Sequence, residues 1–243
     1  MLSPNKLTQF KLVLDNYSPS QEAIDLLSQL NFVILVGPSG SGKNTIIRDM
    51  VKTGEYYYLV SDTTRNKRIN NGVSEIDGVD YWFRNEDDFL QDLKKGQYLE
   101  AEVIHNQQVS GINLSELNKA KSLNKTAVAD LDIGGVEKLL SLNPNIKVFL
   151  ILPPSFKVWL SRLSHRNNMA SSEIKRRLTT AIKIFQAAQK LKFVKTVLNT
   201  NYIQASSIIR LNVEQSKEII QPNLKVTLET LLEETRQYLE SPK

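Results

Sequence analysis

Residues 32–45 read Phe32-Val33-Ile34-Leu35-Val36-Gly37-Pro38-Ser39-Gly40-Ser41-Gly42-Lys43-Asn44-Thr45. The unbroken apolar run predicts a strand covered on both faces. Gly37, Gly40 and Gly42 let the backbone bend so that its N–H groups converge into an anion nest. A helix predicted from Thr45 adds its positive end, and Lys43 adds a point charge for the outer phosphates of a nucleotide. Strand, glycine loop and helix in this order suit the holding of nucleotide phosphates. The position after the lysine usually carries a Ser or Thr hydroxyl for Mg²⁺. Here it is Asn44, with Thr45 next.

Working outward, strand-like runs recur at 57–60, 81–83, 98–104, 127–131, 146–152 and 195–198. Helical patterns lie at 45–52, 86–95, 114–122, 135–141, 155–164 and 171–191. Strand and helix alternate, so the fold class is α/β with a mainly parallel sheet. Ser18-Pro19-Ser20-Gln21 reads as a helix start, with Ser18 as cap, Pro19 in the first turn and Gln21 closing a capping box. From about Leu224 the residues Leu228, Leu231, Leu232, Thr235 and Tyr238 form one helical stripe, the mark of an amphipathic helix covering a core. The polar, glycine-containing stretch 63–79 reads as a mobile loop.

Composition narrows the function classes. At 41% hydrophobic and 23% charged residues, the chain is an ordinary globular one with no bilayer-spanning run. The absence of cysteine excludes disulfides, thiolate metal sites and cysteine nucleophiles, and two separated histidines make no histidine metal site. The N-terminus lacks a signal-peptide pattern, so the expected location is cytoplasmic. The net charge of +5 includes a cluster at Arg162, Arg166, Lys175, Arg176 and Arg177. A phosphate site uses the same residues, so nucleic acid is not the expected partner.

Beyond the loop, Ser61-Asp62-Thr63-Thr64-Arg65-Asn66-Lys67-Arg68 sets two arginines three apart after a strand. There follow Gly78-Val79-Asp80-Tyr81-Trp82-Phe83, Gly96-Gln97-Tyr98-Leu99-Glu100, Asp130-Leu131-Asp132, Arg162-Leu163-Ser164-His165-Arg166, Arg177-Leu178 and Val197-Leu198-Asn199. This order of blocks resembles the guanylate kinase family over residues 31–211. The resemblance implies a P-loop NTPase core (31–61 and 113–211), a small mixed α/β acceptor-binding insert (62–112) and a helical lid (163–178). The insert and lid are expected to close on ligands. Helical extensions are expected at 1–30 and 212–243.

The resemblance also implies ATP-dependent phosphorylation of GMP or dGMP, with Mg²⁺ accompanying ATP. Gly37, Pro38, Ser39, Gly40, Ser41, Gly42, Lys43, Asn44, Thr45 and Arg162 are the expected ATP site. Ser61, Arg65, Arg68, Tyr81, Glu100, Asp130 and Asp132 are the expected GMP site. Lys43, Arg65, Arg166 and Arg177 are the expected catalytic cations. Asn44, Thr45 and Asp130 are the expected Mg²⁺ partners, Asp130 through water. The residue chemistry agrees. In-line transfer brings two anions together and needs cations to screen them. Forked guanidinium groups at Arg65 and Arg68 suit a monophosphate, with a Tyr81 hydroxyl beside them. The Glu100 carboxylate can accept the paired donors on the guanine edge, which adenine lacks. Asp130 and Asp132 end an apolar strand, where ligands bind in parallel sheets; the spacing alone does not divide their roles.

Three features depart from the family. Its Gly-Asn-x-Tyr-Gly-Thr/Ser block, aligned without gaps, falls on Asn106-Gln107-Gln108-Val109-Ser110-Gly111. The phosphate-binding tyrosine then becomes Val109 and the base-binding hydroxyl Gly111, unless Ser110 shifts into that place. Gly134 replaces a family glutamine, and the loop from Arg68 to Glu75 is longer than usual. These changes motivate an alternative, a related kinase with a different nucleotide or sugar-phosphate acceptor. A further alternative, of another class, is a non-catalytic guanylate-kinase-like binding module. Lys43 and the full glycine loop argue against the module.

Overall fold

The computed structural model describes residues 2–70, 72–164, 170–191, 194–215 and 221–241. The chain divides into two compact units. One comprises Met1–Asn31, Tyr57–Ala127 and Ser141–Pro144; the other comprises Phe32–Tyr56, Val128–Leu140 and Asn145–Lys243.

The second unit is organised by β1 (Phe32–Val36), β10 (Lys147–Leu152) and β11 (Val194–Leu198). With β9 (Thr126–Asp130) and β2 (Tyr56–Tyr58) they make a sheet in the order β11-β10-β1-β9-β2. β1 and β10 run parallel, Val33 to Val36 facing Lys147 to Leu150, and β11 runs parallel to β10. Every residue of β1 is buried, as its unbroken apolar run requires. Around these strands lie α3 (Lys43–Lys52), α6 (Ile133–Leu142), α7 (Phe156–Ser164), α8 (Ser171–Lys190), α9 (Tyr202–Gln215) and α10 (Leu224–Glu240). α8 buries Ile174, Leu178, Ala181, Phe185 and Ala188, a single stripe at helical spacing. α10 buries Leu228, Leu231, Leu232 and Thr235 and packs on α8, as the stripe in the sequence predicts. The Tyr238 ring adds a tilted contact with Phe156 at 5.6 Å.

The first unit holds a four-stranded sheet in the order β6-β3-β8-β7. Its strands are β3 (Asp62–Thr63), β6 (Trp82–Phe83), β7 (Tyr98–Ile104) and β8 (Gln108–Asn113). β7 and β8 form an antiparallel hairpin whose turn places His105 and Asn106 at φ 52° and 56°. Helices α1 (Pro4–Leu14) and α4 (Glu86–Lys94) cover one face. There Phe10, Phe89, Leu90, Leu93, Tyr98 and Val109 form a buried cluster. Helices α2 (Gln21–Gln29) and α5 (Leu114–Ser122) complete the unit.

Two local expectations change. The cap of α2 is Ser20, not Ser18. Ser20 is extended at ψ 161° and its hydroxyl accepts from Ala23 N–H at 3.3 Å, so Pro19 precedes the helix. The stretch 63–79 is not a featureless loop. It contains a hairpin of β4 (Ile69–Asn70) and β5 (Val73–Ser74), closed by Glu75 N–H to Arg68 O at 2.9 Å, with Gly72 at φ 80° in its turn. The Asn-Gly pair at 71–72 is the sequence signal for such a turn. Among the described residues no helix is long and apolar enough to cross a membrane.

Candidate active site

In the second unit the glycine loop links β1 to α3, and three neighbours fix its shape. Gly42 caps α3 at φ 97°, and a Cβ there would stand 2.2 Å from Asn199 Nδ2. Asn199 Nδ2 donates to Ser41 O at 2.7 Å, and Trp159 Nε1 on α7 donates to Ser39 O at 2.8 Å. Lys43 Nζ turns back over the loop to donate to Gly37 O at 2.6 Å, so its charge lies against the glycine loop. Ser41 Oγ is buried with no hydrogen-bond partner inside the loop. Burying a hydroxyl unpaired is costly, so this atom is one a phosphate oxygen could satisfy. From α8, Arg177 Nη1 donates to Ser39 Oγ at 2.6 Å while its Nε donates to Glu173 Oε1 at 2.7 Å. Hydrogen bonds from Arg176, against partial burial, and from Arg177 draw the Glu173 carboxyl down to about 2. Glu173 thus stays ionised and holds Arg177 toward the loop.

β9 ends on this side of the sheet. Leu131 N–H donates to Leu35 O at 3.2 Å, which sets Asp130, half-buried, beside the start of the loop. Asp132 is exposed two residues further, where α6 begins. Asn44 and Thr45 are exposed on the first turn of α3. Their carbonyl and hydroxyl oxygens and the Asp130 carboxylate are hard oxygen donors, the ligand type that Mg²⁺ prefers. Among the described residues no cluster of three or more acids or histidines could hold a metal unaided.

In the first unit the sheet has one apolar and one polar face. Strand alternation puts Ala101, Val103 and Val109 into the cluster around Phe89. The opposite face carries Glu100, Glu102, Gln108 and Ser110 together with Ile104 and the buried Ile112, with Glu102 paired to Ser110 and Thr63 paired to Ser110 from the other side. Ser110 Oγ donates to Thr63 Oγ1 at 3.0 Å, and Gln108 Nε2 lies 3.5 Å from the same oxygen. Beside them Arg65 stacks over the Tyr81 ring at 4.6 Å and over Phe83 at 5.6 Å. The Arg65 fork is bidentate to Glu75, Nη1 to Oε2 at 2.5 Å and Nη2 to Oε1 at 2.8 Å. Arg68 N–H donates to Glu75 at 2.8 Å. Burial opposes the charge on Glu75, but the Arg65 fork and the Arg68 N–H outweigh it and hold the carboxyl below its ordinary value.

A glycine loop gripping one end of a parallel sheet, and a separate sheet presenting an arginine, a tyrosine and a carboxylate, narrow the comparison. Residues 29–216 match the family model for guanylate kinase. The chain belongs to the guanylate kinase family. It is 31% identical over 194 residues to the guanylate kinase of Helicobacter pylori, covering 79% of this chain and 85% of that one. It is 31% identical over 176 residues to the guanylate kinase of Mycoplasma genitalium, covering 71% of each. The crystal structure of guanylate kinase from Anaplasma phagocytophilum shares the fold at TM-score 0.56 and 19% identity, over 88% of this chain and 98% of that one.

For this guanylate kinase family chain, the structure groups Gly37, Pro38, Ser39, Gly40, Ser41, Gly42 and Lys43 with Arg177, and it groups Arg65 with Tyr81 and the Arg68 backbone. Ser61, half-buried, accepts through its carbonyl from Trp82 N–H at 3.0 Å, next to Tyr81. Arg162 is half-buried on the last turn of α7. Arg166 lies outside the described residues, as does part of the expected lid.

One expectation is corrected. Val109 does not stand in the place of an acceptor-facing tyrosine, because its side chain is fully buried on the apolar face. Gly111 cannot carry a base-facing hydroxyl, because a Cβ there would lie 2.5 Å from Glu100 O. The polar face instead carries Gln108 and Ser110, so an ungapped reading puts the hairpin one residue out of phase. Sequence reasoning also missed Glu75 and Glu173. Glu173 had a signal, its i,i+3 and i,i+4 spacing to Arg176 and Arg177.

Proposed function

We infer that this chain transfers the γ-phosphoryl group of ATP to GMP or dGMP, in line and without a covalent intermediate. The observation that carries the acceptor half is the polar sheet face, where Arg65 and Tyr81 lie together and Glu100 shares a side with Ser110. A glycine loop by itself names only a nucleotide donor. An arginine and a tyrosine beside a carboxylate-bearing strand fit a purine monophosphate that offers N–H donors.

The roles follow from the chemistry. Lys43 and the loop N–H groups hold the donor phosphates, and Ser41 Oγ gains the partner it lacks. Asn44, Thr45 and Asp130 would hold the Mg²⁺ that accompanies ATP, and the ion would supply charge neutralisation for the donor phosphates. Arg65, Arg68 and Tyr81 hold the acceptor phosphate, and Arg65 is kept in a fixed pose by Glu75. Glu100 accepts from the guanine edge, with Ser110 and Ser61 as hydroxyl partners and Asp132 remaining in the acceptor set. Arg177, joined by Arg166 and Arg162, screens the charge of the transferring group and helps keep water from the reacting phosphate. No role for Val109 remains, which removes the main reason for a different acceptor. A chain with no cysteine suits a cytoplasmic setting.

Steady-state turnover tests these assignments. With GMP as acceptor, Lys43→Met should abolish ADP release and Glu100→Gln should raise the KM for GMP while leaving that for ATP. Unchanged GMP kinetics in Glu100→Gln contradict the base-reading role.

A further inference from the structure

β7 carries one residue more than β8 across from it. Tyr98 pairs with Asn113 and Glu100 with Ile112, so Leu99 is extra. A bulge of this kind resets which residues share a face of the sheet. The Tyr98 ring belongs to the apolar face, stacked on Phe89 at 4.4 Å with its hydroxyl 2.6 Å from Asp62 Oδ2. With plain alternation, Glu100 would follow Tyr98 into that core. With Leu99 inserted, Ala101 and Val103 enter the core instead, and Glu100 turns to the polar face with Ser110. The bulge is therefore what delivers the Glu100 carboxylate to the acceptor side.

The backbone at the bulge is held from outside the sheet. The Tyr17 hydroxyl donates to Tyr98 O, and Tyr98 N–H donates to the same hydroxyl at 3.2 Å. One phenol oxygen thus engages both backbone groups of the residue before the bulge. Tyr17 is itself fixed just after α1 by its N–H to Leu14 O at 3.1 Å. α1 is seated by the fully buried Phe10, edge-on to Phe89 at 5.9 Å, and by Leu2 N–H to Gln107 O at 2.9 Å beside Gln108. Burial first, and the nearby Glu100 charge, push the Tyr17 phenol up to about 12, so at neutral pH it remains a donor.

We propose that Tyr17 is a positioning residue of the acceptor site: its hydroxyl holds the bulge at Leu99 and thereby aims Glu100 at the base. The N-terminal helix is on this account a working part of the acceptor unit. The proposal rests on Glu100 reading guanine, and its test separates the two claims.

Tyr17→Phe removes only the hydroxyl and keeps the ring. The KM for GMP should rise about tenfold, the loss of one positioning hydrogen bond, with kcat and the KM for ATP unchanged. Preference for GMP over inosine monophosphate, which lacks the exocyclic amine, should shrink. Tyr17→Phe added to Glu100→Gln should cost nothing beyond Glu100→Gln alone, because one residue acts through the other. Unchanged GMP kinetics in Tyr17→Phe, or losses that multiply in the double variant, overturn the proposal. Should Glu100→Gln alone leave the preference for GMP intact, the base-reading role fails, and amide hydrogen exchange decides the role of Tyr17. Faster exchange at 98–101 in Tyr17→Phe, with the glycine-loop amides unchanged, supports it; identical exchange at 98–101 refutes it.

Discussion

Glu116 on α5 is fully buried, yet its carboxylate collects four donors. Tyr57 Oη at 3.0 Å and Val60 N–H at 3.0 Å bond Oε2, while Trp82 Nε1 at 3.1 Å and Lys119 Nζ at 3.0 Å bond Oε1. Val60 precedes Ser61 and Trp82 follows Tyr81, so one side chain ties together two segments of the proposed acceptor site. Replacing Glu116 by Ala strands all four donors. The Lys119 side chain is 49% exposed and can turn to water, and Tyr57 is half-buried. The Val60 N–H and the Trp82 indole have less recourse. At about 1–3 kcal/mol for each stranded donor, Glu116→Ala should destabilise the protein by about 2–6 kcal/mol. Glu116→Gln keeps one acceptor oxygen and should lose roughly 1–3 kcal/mol. Urea unfolding of both variants measures this, read at the indole fluorescence and by circular dichroism. In the Gln variant the KM for GMP should rise while that for ATP stays. An Ala variant as stable as the parent would refute the reasoning, since it would mean that the four donors find equal partners without the carboxylate.

The pH dependence of stability carries a signature of Asp62. Burial pushes its carboxyl up to about 6, against the Tyr98 hydroxyl and Arg84, from an ordinary value of 3.8. The folded state then holds this proton more tightly than the unfolded state, so the contribution of Asp62 declines as pH rises from about 4 to about 7, by roughly 3 kcal/mol in all. Stability of Asp62→Asn relative to the parent should therefore increase over that range, and a difference independent of pH contradicts the assignment. Glu173, held near 2, has the opposite sign and loses its contribution only as pH falls below 4.5 toward 2, outside the Asp62 window. Gly42→Ala should weaken ATP binding in calorimetry by more than tenfold, because its Cβ would meet Asn199 at 2.2 Å with φ at 97°; ATP affinity equal to the parent's contradicts the loop geometry. Arg177→Lys should lower kcat by roughly 10³ with the KM for GMP unchanged, as for other cations that act on the transferring group, and an unaltered kcat removes Arg177 from the transfer step.

The sequence shows the donor half clearly because its signals are local. A five-residue apolar strand, three glycines and a lysine lie within fourteen consecutive residues, and each imposes its own backbone or charge requirement. Arg65 and Tyr81, which the structure sets together, stand in ordered blocks of the sequence, as does Glu100. Whether a β-residue faces the site depends on phase, and phase is set by events that leave little trace in composition. The extra Leu99 and the short turn at His105–Asn106 each shift it, which is why Val109 looked like a site residue and Gln108 did not. Glu75 was hidden because its partner Arg65 lies across a hairpin, and Tyr17 because its partner Tyr98 lies 81 residues away. Such pairings appear only once the sheet is assembled.

The central claim is that a guanine monophosphate is the acceptor. Its most direct test is ADP release from ATP with GMP, dGMP, AMP, CMP and UMP offered in turn to the full chain. The account predicts turnover with GMP and dGMP and little with the other three. Equal or faster turnover with AMP, or none with GMP, would contradict it.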